Sequence, residues 1–249
     1  MPDDPRQAQT HPEDRLRALQ RQQEVFAHGI SHDLRAPLRS IETFSGMLAR
    51  HAGDSLDATG QDYLHRIRDA ASRMGGLIEA LLAYAGLDRG ELQPTRVDLG
   101  MFVHLALAEL QEAAPDPATP RVVRAAVATD LHVIGDERQL RMLVAELVRN
   151  SWNFSRGDLV LDVSGERKGD RLRISFRDQG TGFDMQYAAK LFEAFQRLHG
   201  PGEGAGNGMG LAIARRIVER HGGRIDAESR PGRGAIFLID LPAAGAETP

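Results

Sequence analysis

The stretch Ile30-Ser31-His32-Asp33-Leu34-Arg35-Ala36-Pro37-Leu38 sits inside a long run of apolar residues at helical spacing. Upstream of it, Leu16, Leu19, Phe26 and Ile30 fall three and four apart, with Gln23 filling the gap. That is the spacing of a heptad seam, which a helix uses to pack on another helix. Downstream, Leu34, Leu38, Ile41, Phe44 and Leu48 carry the stripe on towards His51-Ala52-Gly53-Asp54. A second helical pattern runs from about Asp57 to Leu87, with Leu64, Ile67, Ala70, Met74, Ile78, Leu81 and Leu82 in its apolar stripe. Two long amphipathic helices joined by a short loop form a helical hairpin. One hairpin cannot bury both apolar faces. Two hairpins making a four-helix bundle can, so a homodimer is expected.

With Leu16, Phe26 and Ile30 as the seam, His32 falls outside it and faces solvent. An imidazole is a good nucleophile near neutral pH, because its unperturbed pKa is about 6.5. Asp33 can accept a hydrogen bond from one ring nitrogen, or take its proton, which leaves the other nitrogen to attack. Pro37 has no N–H, so the carbonyl of Asp33 loses its helical donor.

Beyond the hairpin, Gly86 to Thr95 reads as a linker, and the composition then becomes mixed. Short strands are expected at Arg96–Leu99, Arg121–Val127 and His132–Ile134, and helices at Met101–Ala114 and Glu137–Phe154. Leu159–Gly165 and Arg171–Arg177 form a hairpin around Lys168-Gly169-Asp170. An irregular stretch over about 183–208 precedes a helix at Met209–His221, ended by Gly222-Gly223. Gly223–Ser229 and Ala235–Leu241 are the last strands. The reading is therefore a multi-domain chain: an all-α hairpin followed by an α+β sandwich, one helix layer on a mixed sheet. The expected divisions are a disordered N-terminus over 1–13, the hairpin domain over 14–88, a linker over 89–96, the α+β domain over 97–243 and a loose tail over 244–249.

Three segments of the α+β domain carry the ingredients of a nucleotide pocket. Glu146 and Asn150 lie one helical turn apart, and the amide oxygen of Asn150 can ligate a divalent cation that bridges phosphates. Asp178-Gln179-Gly180-Thr181-Gly182 follows a strand; a carboxylate there can accept the exocyclic amine of adenine, and the glycines allow close backbone approach. Gly206-Asn207-Gly208-Met209-Gly210 leads into a helix whose N-terminal amides suit a triphosphate. A nucleophilic histidine and a nucleotide pocket in one chain suggest ATP-dependent histidine phosphorylation.

Composition narrows the alternatives. At 249 residues the chain can form one large domain or two smaller ones. A net charge of −4 gives no general reason to expect nucleic-acid binding. There is no cysteine, which excludes disulfides and thiolate metal sites. No apolar run is long enough for a membrane span, and the polar N-terminus lacks the apolar core of a signal peptide. A cytoplasmic protein is expected.

Ser31-His32-Asp33-Leu34-Arg35-Ala36-Pro37-Leu38 resembles the H-box of sensor histidine kinases, the phosphoacceptor segment of two-component systems. Glu146-Leu147-Val148-Arg149-Asn150-Ser151 resembles the N-box of those kinases and of the wider gyrase, Hsp90 and MutL ATPase superfamily. The 178–182 and 206–210 segments resemble the G1 and G2 boxes, and Lys190–His199 resembles the F-box. The order of the motifs is that of the family, and the resemblance covers about residues 15–242. It implies a dimeric phosphoacceptor domain, a domain binding ATP and Mg²⁺, and a response regulator receiver domain as partner. It implies His32 and Asp33 as catalytic residues. Nucleotide would be held by Glu146, Asn150, Asn153, Asp178, Gly180, Gly182, Gly206, Gly208 and Gly210, with Asn150 on the metal. The stretch 183–208 would be a mobile lid over the nucleotide.

Three departures matter. The family commonly has Lys, Arg or His three residues after the N-box asparagine, where this chain has Asn153; Arg149, Arg156 or Arg197 could substitute. Relatives that also dephosphorylate their regulators usually have Thr or Asn four residues after the phosphoacceptor, where Ala36 has no hydrogen-bonding side chain, so weak phosphatase activity is expected. Few residues precede the first helix, so either a sensor domain is missing or a separate sensor protein supplies the signal. Two rival readings are a hydrolytic ATPase using Glu146 to activate water, and a nucleotide-binding pseudokinase acting as an adaptor, which Asn153 favours.

Overall fold

The computed structural model describes residues 12–113, 121–196 and 206–245, with side chains from Gly29 onward except that of Asp54. The seam side chains Leu16, Leu19, Gln23 and Phe26, most of the N-terminus expected to be disordered, and Arg197 with the glycines at 200, 202 and 204 lie outside the described residues. The chain forms two compact units, residues 1–89 and 90–249.

The first unit is a helical hairpin. Helix α1 spans Pro12–Ala52, continuing through Pro37, and α2 spans Ala58–Gly86. A single 3₁₀ turn at Gly53–Ser55 joins them. Asp57 caps α2, its carboxylate accepting from the Gly60 amide at 2.8 Å. Leu38, Ala71 and Ile78 are buried between the helices, with Leu82 packed against them.

The second unit is a two-layer sandwich. Its elements are β1 (Pro94–Asp98), α3 (Leu99–Glu112), β2 (Val123–Val127), β3 (His132–Asp136), α4 (Glu137–Phe154), β4 (Leu159–Lys168), β5 (Arg171–Asp178), α5 (Gly210–Arg220), β6 (Arg224–Ser229) and β7 (Ala235–Pro242). Five strands form a sheet in the order β2-β4-β5-β7-β6, in which only β2 and β4 run parallel; β1 and β3 form a separate antiparallel pair. Along β5 and β7 burial alternates strictly, with Leu172, Ile174 and Phe176 inward and Phe237, Ile239 and Leu241 beside them. Helices α4 and α5 cover that face with Leu140, Leu143, Leu147, Ile213 and Ile217.

Many helix and strand ends shift by about one to three residues from the sequence reading, and four differences stand out. Helix α1 already includes Pro12 and Glu13, which fall in the segment expected to be disordered. Helix α3 begins two residues early, because the Asp98 carboxylate accepts from the amides of Gly100 and Met101. The stretch read as irregular contains a 3₁₀ helix, Met185–Lys190, capped by Asp184. The tail read as loose is tied down at its first residue: the Ala244 amide donates to the His132 carbonyl at 3.0 Å, beside the bond from the Ala243 amide to the Asp170 carbonyl at 2.8 Å.

Candidate functional site

On α1, His32 stands out from the hairpin with its side chain 86% exposed. Its Nδ1 lies 3.2 Å from Asp33 Oδ1, and Asp33 is equally exposed. With a proton on Nδ1 the imidazole donates to Asp33, and Nε2 keeps the lone pair. The preceding residue, Ser31, about 100° round the helix, is buried. Ala36, one turn after His32, offers only its backbone carbonyl, which accepts from Ser40 Oγ at 3.2 Å.

In the second unit the candidate residues gather where α4, the end of β5 and the start of α5 meet. Helix α4 begins at an Asp136 cap, and its amphipathic pattern buries Leu143, Leu147 and Ser151. This leaves Asn150 and Asn153 half-buried at the helix surface. Ser151, next to Asn150, reaches from α4 to the end of β5: its hydroxyl donates to Asp178 Oδ2 at 3.5 Å. Asn150 and Asp178 are therefore neighbours through residue 151.

Asp178 is 4% exposed at the end of β5. Its Oδ1 accepts from the amides of Gly180 at 2.8 Å and Ala235 at 3.1 Å, whereas among the described residues Oδ2 has only the long bond from Ser151. Burial raises its pKa, and the bonds from Gly180, Ala235 and Ser151 pull it back. A held carboxylate with one lightly used oxygen is suited to accept from an amine of a ligand.

The turn after Asp178 has no room for side chains. A methyl group at Gly180 would lie 2.5 Å from the Phe154 carbonyl oxygen. Gly182 has φ of +62° and packs against the Arg230 and Gly234 carbonyls. Thr181 donates its amide to the Phe154 carbonyl at 2.8 Å, and its buried hydroxyl has no partner among the described residues.

Gly208 and Gly210 frame the start of α5, and Gly206 lies in open space. Met209 is fully buried, and its amide donates to Asn207 Oδ1 at 3.0 Å. Among the described residues no side chain caps α5, an arrangement that suits an anion at its first amides. The Glu146 carboxylate lies against Gly210, and its Oε1 is 3.3 Å from Arg149 Nη1. Phe195, at φ +64° and midway along the stretch read as a lid, donates its amide to the carbonyl of Gly208, the last residue of that stretch, at 2.9 Å.

These features fit an adenine nucleotide: a hydrogen-bond acceptor at Asp178, a glycine turn and an uncapped helix start. Among the described residues no group of three or more His, Asp or Glu is placed to hold a metal ion. Sequence reasoning missed Ser151, which differs from its neighbours only by being a polar residue on a buried face. It also missed the Phe154 carbonyl, which no side-chain pattern reports.

The family described as "Histidine kinase-, DNA gyrase B-, and HSP90-like ATPase" matches residues 135–245, and the "His Kinase A (phospho-acceptor) domain" matches residues 22–90. Among curated proteins the chain is similar to phytochrome-like protein Cph1 of Synechocystis sp., with 33% identity over 87% of this chain and 29% of that protein. The chain thus spans under a third of the length of that relative. Among solved structures it is similar to full-length ShkA in complex with AMPPNP, with a TM-score of 0.64 and 26% identity, covering 88% of this chain and 46% of that one. Its fold is also that of histidine kinase ThkA, solved in complex with the response regulator protein TrrA, with a TM-score of 0.59 and 20% identity, covering 90% and 64%. Among the described residues no helix is long and apolar enough to cross a membrane.

Proposed function

This chain belongs to the sensor histidine kinase family, with the phosphoacceptor domain followed by the ATPase-type domain, and from that premise we propose that it moves the γ-phosphoryl group of ATP to His32 and on to an aspartate of a response regulator receiver domain. The observation that carries this reading is the exposed His32–Asp33 pair, at 3.2 Å. Asp33 holds the proton on Nδ1 and so presents Nε2 as the nucleophile. Nε2 forms its bond to the γ-phosphorus as the bond to the bridging oxygen breaks and ADP leaves. The Nδ1 proton stays on the ring, hydrogen-bonded to Asp33, whose carboxylate offsets the positive charge the imidazole gains on phosphorylation. In the second step an aspartate oxygen of the receiver attacks phosphorus, the N–P bond breaks and the imidazole is restored.

Asp178 Oδ2 accepts from the adenine amine, and Gly180 and Gly182 let the base approach the backbone. The triphosphate lies along the α5 start, against Gly206, Gly208 and Gly210, with Asn153 and Glu146 on the facing helix. Magnesium, when bound, neutralises phosphate charge, and the Asn150 amide oxygen would hold it. The AMPPNP complex of ShkA supports the choice of nucleotide, and the TrrA complex of ThkA the choice of partner. The hairpin acts as a homodimer, with Ile41, Phe44, Leu48, Tyr63 and Ile67, all exposed in one copy, closing on a second copy. Ala36 places no hydroxyl or amide beside His32 to orient a water, so phosphatase activity is weak.

Autophosphorylation with radiolabelled Mg²⁺·ATP tests the reading. Wild type should take up acid-labile, alkali-stable label that His32→Ala does not. ATP binding without label would make the chain a nucleotide-binding pseudokinase.

A further inference from the structure

Arg121, just before β2, closes on the C-terminal end of α4. Its Nε donates to the Gly157 carbonyl at 2.6 Å, and its Nη2 donates to the carbonyls of Trp152 at 2.9 Å and Ser155 at 3.4 Å. The guanidinium also lies over the Trp152 ring, 3.8 Å from its centroid. A helix end has carbonyls without intrahelical donors and a partial negative charge. Arg121 answers both, and its stack on the indole fixes the direction of approach. Asp158 holds the same corner by accepting from the Val122 amide at 3.0 Å.

The corner matters because it adjoins the candidate pocket. Helix α4 carries Glu146, Asn150 and Ser151, and its last residue, Phe154, touches the turn after Asp178. The Phe154 carbonyl accepts from the Thr181 amide at 2.8 Å and leaves no room for a side chain at Gly180. The end of α4 and the turn that bears Asp178 thus share one contact, two residues from the carbonyl that Arg121 holds.

We propose that Arg121 is a positioning residue for the nucleotide pocket: by capping α4 and stacking on Trp152, it sets the separation of Asn150 and Ser151 from Asp178. The proposal rests on the reading of that pocket as an ATP site. Lysine does not replace it, because one ammonium cannot span three carbonyls while covering the ring.

Trp152 is the single tryptophan of the chain, so its emission reports on this corner. The test is Mg²⁺·ADP affinity of the whole chain by calorimetry at low temperature, with Trp152 emission and thermal melting measured alongside. Arg121→Lys, folded by circular dichroism, should bind ADP about tenfold more weakly, with red-shifted emission. Unchanged ADP affinity with only a lower melting temperature overturns the proposal. Should Arg121→Lys not fold, Trp152→Phe and Trp152→Ala read the same contact. The first keeps a ring under the guanidinium and should match wild type, and the second should bind about threefold more weakly; equal affinities overturn the proposal. If wild type itself binds no ADP, the ATP-site reading fails and the proposal falls with it.

Discussion

Gly210, the first residue of α5, lies directly against the Glu146 carboxylate of α4: a methyl group on Gly210 would come within 2.6 Å of Glu146 Oε2. A carboxylate thus sits beside the helix start that the proposed function gives to phosphates. The positive end of α5 and Arg149 favour its charge, but burial acts against it more strongly and raises its pKa.

A raised pKa fixes the sign of the stability effect. With the folded pKa above the unfolded one, the contribution of Glu146 is fully present below the unfolded value and is lost as pH rises through the folded one. Glu146→Gln keeps the shape and removes the buried charge. The variant should melt about 3 °C above wild type at pH 7.5, and close to it at pH 4.5. Calorimetric melts at the two pH values check this. Equal melting temperatures at pH 7.5 would mean that α5 and Arg149 offset the burial in full.

His221 makes the opposite prediction. It is buried at the end of α5, with Nδ1 2.7 Å from the Ile217 carbonyl and Nε2 accepting the Asp136 amide at 2.9 Å. These bonds fix the neutral tautomer. Burial lowers its pKa; the Ile217 bond and the charge of Asp136 oppose that, and Arg220 adds to it. A lowered folded pKa means stability that is fully present above the unfolded value, near 6.5, and is lost as pH falls through the folded one. His221→Phe leaves the Asp136 amide without its acceptor and should cost about 2 kcal/mol at pH 8. The gap to wild type should narrow by pH 5. Denaturant midpoints at both pH values decide the matter, and a gap independent of pH would show that His221 acts through packing alone.

The elements that periodicity reports were readable in advance. Glu137–Phe154 appears as α4 with both ends as expected, because Asp136 caps one end and a regular apolar face runs to the other. What was hidden depends on contacts between distant residues. Arg121 meets the Trp152 carbonyl 31 positions away, and Asp136 meets His221 at a separation of 85. Neither arginine nor histidine announces such a partner, since both are common at surfaces. The 3₁₀ helix at Met185–Lys190 escaped for another reason: six residues are too few to show a period. At the site, glycines and carboxylates were visible by type and order. Ser151 was not, because only folding shows that its hydroxyl turns towards Asp178.

Ser31 offers a test beside the proposed phosphoacceptor. It is 1% exposed, and its hydroxyl has no partner among the described residues. A buried hydroxyl without a hydrogen bond costs about 1 kcal/mol or more. Ser31→Ala removes the oxygen and leaves a void too small to matter, so the hairpin should gain about 1 kcal/mol. Thermal unfolding followed at 222 nm measures it. A loss of stability would mean that the hydroxyl is hydrogen-bonded in solution.

The outer face of the hairpin carries the last prediction. Phe44 is 68% exposed and Tyr63 62%, with Ile41, Leu48 and Ile67 also open to solvent. Burying a large apolar side chain is worth about 1.5–3 kcal/mol, so a second copy that covered all five would contribute roughly 7–15 kcal/mol, comparable with the whole stability of a small domain. A charge at the centre of this face would be desolvated on pairing without a partner. Phe44→Asp should therefore shift the chain from dimer to monomer at micromolar concentration, read by light scattering on a sizing column. Phe44→Leu, which keeps the face apolar, should stay dimeric. If the receiver instead needed Phe44 for docking, Phe44→Asp would remain a dimer and lose only transfer from His32 to the regulator. The two measurements together separate a pairing face from a docking face.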